Sequence, residues 1–312
     1  MESIRSNNRL DISGGSLMKT YHLLGLEDDH MAALAQVLYD MGHRVQPWDY
    51  NVSVSTKKLL KDRGLNLIAP MEQVQNDDHM IVLENHEERA KLLLSKTKKS
   101  LKWYGYHQFM GELIQDFTSI SVLGLKSKKM LSRLLSKVFN SFAPTSYLLS
   151  ESIAKGGNKD VYFVFEGCED PTYIKSYQPD FAVITNMDEQ TEQFQHKKEM
   201  KKIFLQVAKQ VKKRVVACGD DINTHILLTT GPVLFYGLGV NNDLVAKNVI
   251  DKEGSLSFDV YLDKQFLDRF ELGWCDQQAV LHALAVISIA LLEGFDLNQL
   301  KAALRSFSLF QV

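Results

Sequence analysis

From Lys19 onward the chain alternates short apolar runs with stretches whose apolar residues return every three or four positions. That alternation restricts the fold more than any other feature. "TYHLLGL" reads as a strand, and "DHMAALAQVLYDMGH" as a helix with Met31, Leu34, Ala35 and Leu38 at helical spacing. "RVQPWDY" reads as a second strand, "TKKLLKDRG" as a helix stopped by Gly64, and "LNLIA" and "HMIVLEN" as two further strands. A helix at "EERAKLLLSKTK" and a strand at "LKWYGY" follow. Short apolar strands separated by helices predict a parallel sheet covered by helices.

A short helix at "HQFMGELIQDF" leads into a second series. Its strands are "VYFVFEG", "DFAVITN", "RVVACG" and "PVLFYGL", with an amphipathic helix at "HKKEMKKIFLQVAKQVKK" and a hairpin-like pair around "AKNVIDKEGSLSFDVYL". Two helices close the chain. At 312 residues the chain is too long for one ordinary core. We place the boundary near Phe117, which predicts two packed three-layer α/β domains with mostly parallel sheets, 18–116 and 117–312. Residues 1–17 are polar and are expected to form a disordered leader.

Composition removes several function classes. A net charge of −2 creates no whole-chain field toward nucleic acid or anionic lipid. The three cysteines, Cys168, Cys218 and Cys275, form no C-x-x-C pair, which fits neither a disulfide framework nor a zinc site. The most apolar stretch, "AVLHALAVISIALLEGF", contains His282 and Glu293 and reads as a buried helix, not a membrane span. With no secretory signal at the start, the expectation is a cytoplasmic protein.

Two loops carry the chemistry. "SISVLGLKSKKMLSRLLSKVF" has the layout of a strand, phosphate loop and helix. A phosphate loop uses glycines for curvature, a lysine for phosphate charge, and a Ser or Thr hydroxyl for magnesium. Here Gly124 is the single glycine, Lys126, Lys128 and Lys129 supply charge, and no Ser or Thr directly follows Lys128 or Lys129. Gly124, Lys126, Ser127, Lys128 and Lys129 therefore read as a basic site for a small anion without metal, or as a solvated helix start. The earlier loop, Gly25-Leu26-Glu27-Asp28-Asp29-His30-Met31, puts three acids where a diphosphate cradle needs glycines. Those acids suit the N-terminus of the helix that follows.

Taken in order, "YHLLGLEDDHMAALAQVLYDMGHRVQPWD", "SVLGLKSKK", "FVFEGCEDPTYIKSYQPDFAVITNMDEQ", "VVACGDDINTHIL" with "VLFYGL", and "LHALAVISIALLEGFDLNQLKAALRSF" resemble the Mur ligases, most of all the branch that adds L-alanine. The resemblance runs from about Thr20 to Phe307. It implies a Rossmann-like UDP-sugar domain, a P-loop-like central ATPase domain, and the absence of the family's third, amino-acid-binding domain. It further implies ATP and Mg²⁺ as cofactors wherever family activity remains; the residues by themselves point to none.

Gly25 and Asp49 match UDP-binding positions, while Glu84 stands where the family has a small hydroxyl residue. Lys128 falls on the family's phosphate lysine, Ser127 on its second glycine, and Lys129 and Met130 on its two threonines. Glu166 matches the magnesium glutamate, which gives it, with Lys128, a vestigial catalytic role. Asn186 keeps its match, whereas Thr191 replaces the metal-binding histidine. Glu169, Asp170, Asp188 and Glu189 are alternatively a hard-cation set or exposed loop acids. On the adenine side Gln277, Gln278 and His282 depart from the pattern, so His282 is either a nucleotide contact or a core residue. Asp220, Asp221, Tyr236 and Gly237 keep it, though turn chemistry accounts for them as well.

The expectation is a Mur-ligase-like chain without catalysis, binding or regulating near peptidoglycan precursor synthesis, with other cell-wall synthesis proteins as partners. Two alternatives stand beside it. One is an active ATP-dependent ligase with an atypical site or a partner subunit. The other is an interaction module using the basic helix, which carries eight Lys and Arg residues over 196–214. "LKWYGYHQF" gathers aromatics near the boundary and reads as packing between domains.

Overall fold

The computed structural model describes residues 18–48, 52–65, 74–97, 99–124, 127–150, 152–187, 197–252, 254–276 and 278–307. The leader, "LNLIA" beyond its first residue, Asp49, Lys126 and the acidic stretch 188–191 lie outside them.

The first unit alternates β1 (Thr20–Leu24), α1 (Asp29–Asp40), β2 (Arg44–Pro47), α2 (Val54–Asp62), β3 (His79–Val82), α3 (Glu87–Thr97), β4 (Lys102–Gly105) and α4 (Tyr106–Leu113). Its four strands are parallel in the order β2-β1-β3-β4. α1 and α4 pack on one face, and Ala90 of α3 packs with Met80 and Val82 on the other.

The second unit begins with β5 (Thr118–Leu123), α5 (Lys128–Asn140), β6 (Thr145–Leu148), β7 (Ala154–Lys155), β8 (Tyr162–Glu166) and β9 (Phe181–Ile184). It continues through α6 (Lys197–Gln210), β10 (Arg214–Cys218), β11 (Val233–Gly237), β12 (Leu244–Lys252), β13 (Ser255–Leu262) and β14 (Gln265–Leu272), ending in α7 (Ala279–Leu292) and α8 (Leu297–Ser306). The ten strands run in the order β14-β13-β12-β11-β10-β9-β5-β8-β6-β7. From β12 to β6 they are parallel. β13 and β14 at one edge and β7 at the other run antiparallel to their neighbours. The expected α/β class with mostly parallel sheets is what the chain adopts. The hairpin pair, however, extends into a third strand, and β6 and β7 close the opposite edge. Neither feature was expected, because "TSYL" and "QFLDRFEL" lack a clean apolar alternation.

One face of the large sheet is covered by α5, α7 and α8. The opposite face is divided: α6 covers one part through Met200, Ile203, Phe204 and Val207, and the first unit covers the rest. Phe163 and Phe165 of β8 join one apolar cluster with α1 and α4. This explains α1, where every residue from Met31 to Leu38 is buried instead of one face alone. Even Gln36 is buried, and its amide donates to the Ser152 carbonyl at 2.8 Å. The aromatic segment behaves likewise, with Tyr106 and Phe109 in the shared cluster. No helix among the described residues is long and apolar enough to cross a membrane.

Candidate functional site

In each sheet one strand has neighbours reached by connections in opposite directions. β1 lies between β2 and β3, and β5 between β8 and β9. Parallel sheets bind ligands at the carboxyl ends of such strands, where departing loops leave a crevice. A cleft of about 530 Å³ lies between the two units. Asp28 and His30 line it from the start of α1, Leu83 from the end of β3, and Tyr106, His107 and Met110 from α4. Lys128 of α5, Leu148 of β6, Phe165 and Glu166 of β8, the loop 167–171 and Tyr177 complete the wall.

The first loop is built for packing. Gly25 holds φ +113°, and a Cβ there would lie 2.4 Å from Leu83 Cβ, so only glycine lets the β1 and β3 loops approach. Each acid already has a protein partner. The Asp28 carboxylate caps α1, accepting from the backbone N–H of His30 at 2.8 Å and of Met31 at 3.3 Å. Asp29 accepts from Ser152 Oγ at 3.0 Å, and Glu27 pairs with His86. The hydrogen bond from His30 holds Asp28 below the usual carboxylate range, and Asp28 in turn raises His30, with help from Glu166 and Asp29. Glu84 accepts from the backbone N–H of His107 at 3.0 Å.

In the second loop a carboxylate meets the Gly124 N–H and the Lys128 ammonium. Glu169 Oε1 accepts from the Gly124 backbone N–H at 3.1 Å and from Lys128 Nζ at 3.4 Å. Gly124, at φ +134°, cannot be enlarged, since a Cβ would meet Thr185 Oγ1 at 2.1 Å. Thr185 Oγ1 also donates to Asn186 Oδ1 at 3.1 Å, so Asn186 stands beside this glycine. Ser127 precedes α5 at φ +66°, keeping a glycine-like backbone without glycine. Lys129 is exposed.

Glu166, the last residue of β8, is held by protein donors. Its Oε1 accepts from Ser150 Oγ at 3.0 Å, Ser150 N–H at 3.2 Å and Ser132 Oγ at 3.3 Å. These residues do not fit magnesium in the manner the resemblance implies. Three donors crowd the candidate ligand oxygen, and Met130 stands where a hydroxyl is needed. Among the described residues no group of three or more His, Cys, Asp or Glu could hold a metal ion.

The adenine-side candidate is placed elsewhere. His282 on α7 is 4% exposed, packs in the core and does not line the cleft. Both ring nitrogens lack a partner, and burial pushes its pKa down to about 4. Asp220 and Asp221 make turns. Asp220 accepts from the N–H groups of Leu238 and Gly239 at 2.7 and 2.9 Å, and Asp221 from that of Met187 at 2.6 Å.

His30, Tyr106, His107, Cys168 and Tyr177 reach the cleft without having been singled out for it. The His107 ring stacks on Tyr173 at 4.4 Å and its Nδ1 lies 2.6 Å from Tyr177 Oη. Burial raises the Cys168 thiol to about 11, so it remains protonated near neutrality. The signal for this group in the sequence is position: Tyr106 and His107 lie on α4, His30 and Cys168 follow β1 and β8, and Tyr177 precedes β9.

No protein-family model matches the chain. Solved structures show its fold to be that of Mur-type ligases. The UDP-N-acetylmuramate:L-alanyl-γ-D-glutamyl-meso-diaminopimelate ligase of Neisseria meningitides superposes with a TM-score of 0.75 at 20% identity, over 95% of this chain and 100% of that one. The UDP-N-acetylmuramate–alanine ligase of Thermotoga maritima gives 0.72 at 16% identity, over 93% and 69%. The MurF ligase of Thermotoga maritima, solved in complex with ADP, gives 0.59 at 15% identity, over 77% and 65%.

Proposed function

We propose that this chain is a Mur-ligase-like protein that binds a ligand in its interdomain cleft without catalysing ATP-dependent ligation, in a role linked to peptidoglycan precursor synthesis. In this reading residues 18–116 are a degenerate UDP-sugar-type domain, 117–312 a degenerate ATPase-type domain, and the partners are other cell-wall synthesis proteins. The observation that carries it is Glu169, whose carboxylate sits on the Gly124 N–H and the Lys128 ammonium. A phosphate needs those same donors, and its charge is repelled by a carboxylate at that distance. The acids of the first loop, committed to capping and pairing, disfavour a diphosphate in the same way.

The test is phosphate release with ATP, Mg²⁺, UDP-N-acetylmuramate and L-alanine, beside calorimetry with ATP·Mg. The expected result is no release above the blank. ATP-dependent ligation abolished by Lys128→Ala would overturn this reading and establish an active ligase with an atypical site. Lys128 and Glu166 lining one cleft favour that second reading.

A further inference from the structure

Building on the cleft as a binding site without ligation, we propose that it takes an aliphatic amine, held as its ammonium cation. The carboxylates of Asp28, Glu166, Glu169 and Asp170 line the cleft, against the cationic side chains His30 and Lys128. Both of those cations are engaged within the wall. Lys128 pairs with Glu169 at 3.4 Å, and His30 Nδ1 with Asp28 at 3.4 Å. Burial lowers His107, so its ring adds no charge near neutrality. Glu166 and Asp170 have no ion-pair partner among the described residues. Their hydrogen bonds come from neutral groups: Ser132 and Ser150 on Glu166, and the Thr172 N–H on Asp170 at 2.7 Å. Neutral donors leave both negative charges in place, and a cleft with low-dielectric walls concentrates their field.

Tyr106 points to a ligand independently of the acids. It lines the cleft and is 5% exposed, yet its hydroxyl makes no hydrogen bond to a described residue. Nearly all buried polar groups find a partner, and a ligand in the cleft supplies the one Tyr106 lacks. Burial pushes the phenol well above its ordinary value, and the carboxylates of Asp28 and Glu84 push it further up. The potential at this hydroxyl is therefore negative, which suits an incoming cation that donates to its oxygen.

An ammonium group carries three donors and no acceptor, matching carboxylate and phenol oxygens. Leu83, Met110, Leu148 and Phe165 give its alkyl chain apolar wall to cover. The volume of about 530 Å³ holds a small organic molecule. A bare metal ion is disfavoured, because among the described residues no three His, Cys, Asp or Glu group as ligands. A phosphate or carboxylate meets like charge in the same cleft. An amine without a carboxylate of its own is the class that gains most.

The experiment is calorimetric titration of the full chain at low ionic strength with 1,5-diaminopentane, 1,5-pentanediol and glutarate. The three share a five-carbon length and differ in charge. The diamine is expected to bind about tenfold tighter than the diol, and glutarate not to bind. Glu166→Gln and Asp170→Asn are each expected to weaken the diamine about three- to tenfold, and Tyr106→Phe about threefold. Lys128→Ala is expected to tighten it, since Glu169 then loses its cation. Circular dichroism shows whether each variant is folded, and Asp170→Asn, at an exposed loop position, keeps the test decisive should the buried variants unfold. Diol binding as tight as the diamine, tighter glutarate binding, weaker binding in Lys128→Ala, or unchanged binding in the folded acid variants overturns the cation site. Absent diamine binding without ATP-dependent ligation overturns that site alone, whereas ligation overturns the non-catalytic reading beneath it.

Discussion

Ser127 and Glu169 together shape the loop between β5 and α5. Ser127 holds φ +66°, where a residue with a Cβ costs roughly 1–2 kcal/mol, so the loop keeps its curve against local preference. Ser127→Gly is expected to stabilise the protein by up to about 1 kcal/mol in urea unfolding, the relief being partly offset by the freer unfolded chain. Lys128 was legible as a cation at the start of α5, and Gly124 as the turn before it. That the donors are taken by Glu169 was not legible, because the two partners lie 41 residues apart. Glu169→Gln removes the competing charge and is expected to tighten phosphate or nucleotide binding in the cleft about tenfold, read by calorimetry against Lys128→Ala.

At the scale of elements, α1 shows how far periodicity reaches. Its spacing was enough to identify a helix, and its acids were enough to suggest a favourable N-terminus. The structure assigns the cap to Asp28 in particular, while Glu27 and Asp29 turn to His86 and Ser152. Asp28→Ala is expected to cost about 1 kcal/mol, measured as a lower urea midpoint with unchanged slope. The burial of α1 on all sides follows from a second sheet packing on its outer surface, which no local pattern reports. α6 makes the contrast. Its apolar residues face one sheet, as their spacing predicts.

For the whole molecule, two buried histidines set a pH dependence. Burial pushes both His79 and His282 down to about 4, while the ordinary value is 6.5. Below about 6.5 the unfolded chain takes up protons that the folded chain refuses, so stability falls with pH until about 4, where the folded form is protonated too. The loss approaches roughly 3 kcal/mol for each histidine as the pH nears 4. Urea midpoints between pH 7.5 and pH 4.5 measure it, and His282→Leu should flatten the lower part of the profile.

The sequence by itself determined the α/β class, the parallel sheets, most element positions and the two loops, because periodicity, glycine placement and helix-start acids act over a few residues. It also carried the likeness to Mur ligases, whose solved structures share this fold. Only the tertiary structure decided which side chains face the cleft, since strand order brings the ends of β1, β3, β5 and β8 together from distant segments. It likewise put Glu169 on the Gly124 N–H and the Lys128 ammonium, held Glu166 with three protein donors, and sent His282 into the core. These outcomes depend on desolvation and on charge at distances of a few ångströms, and a linear order of residues does not contain those distances.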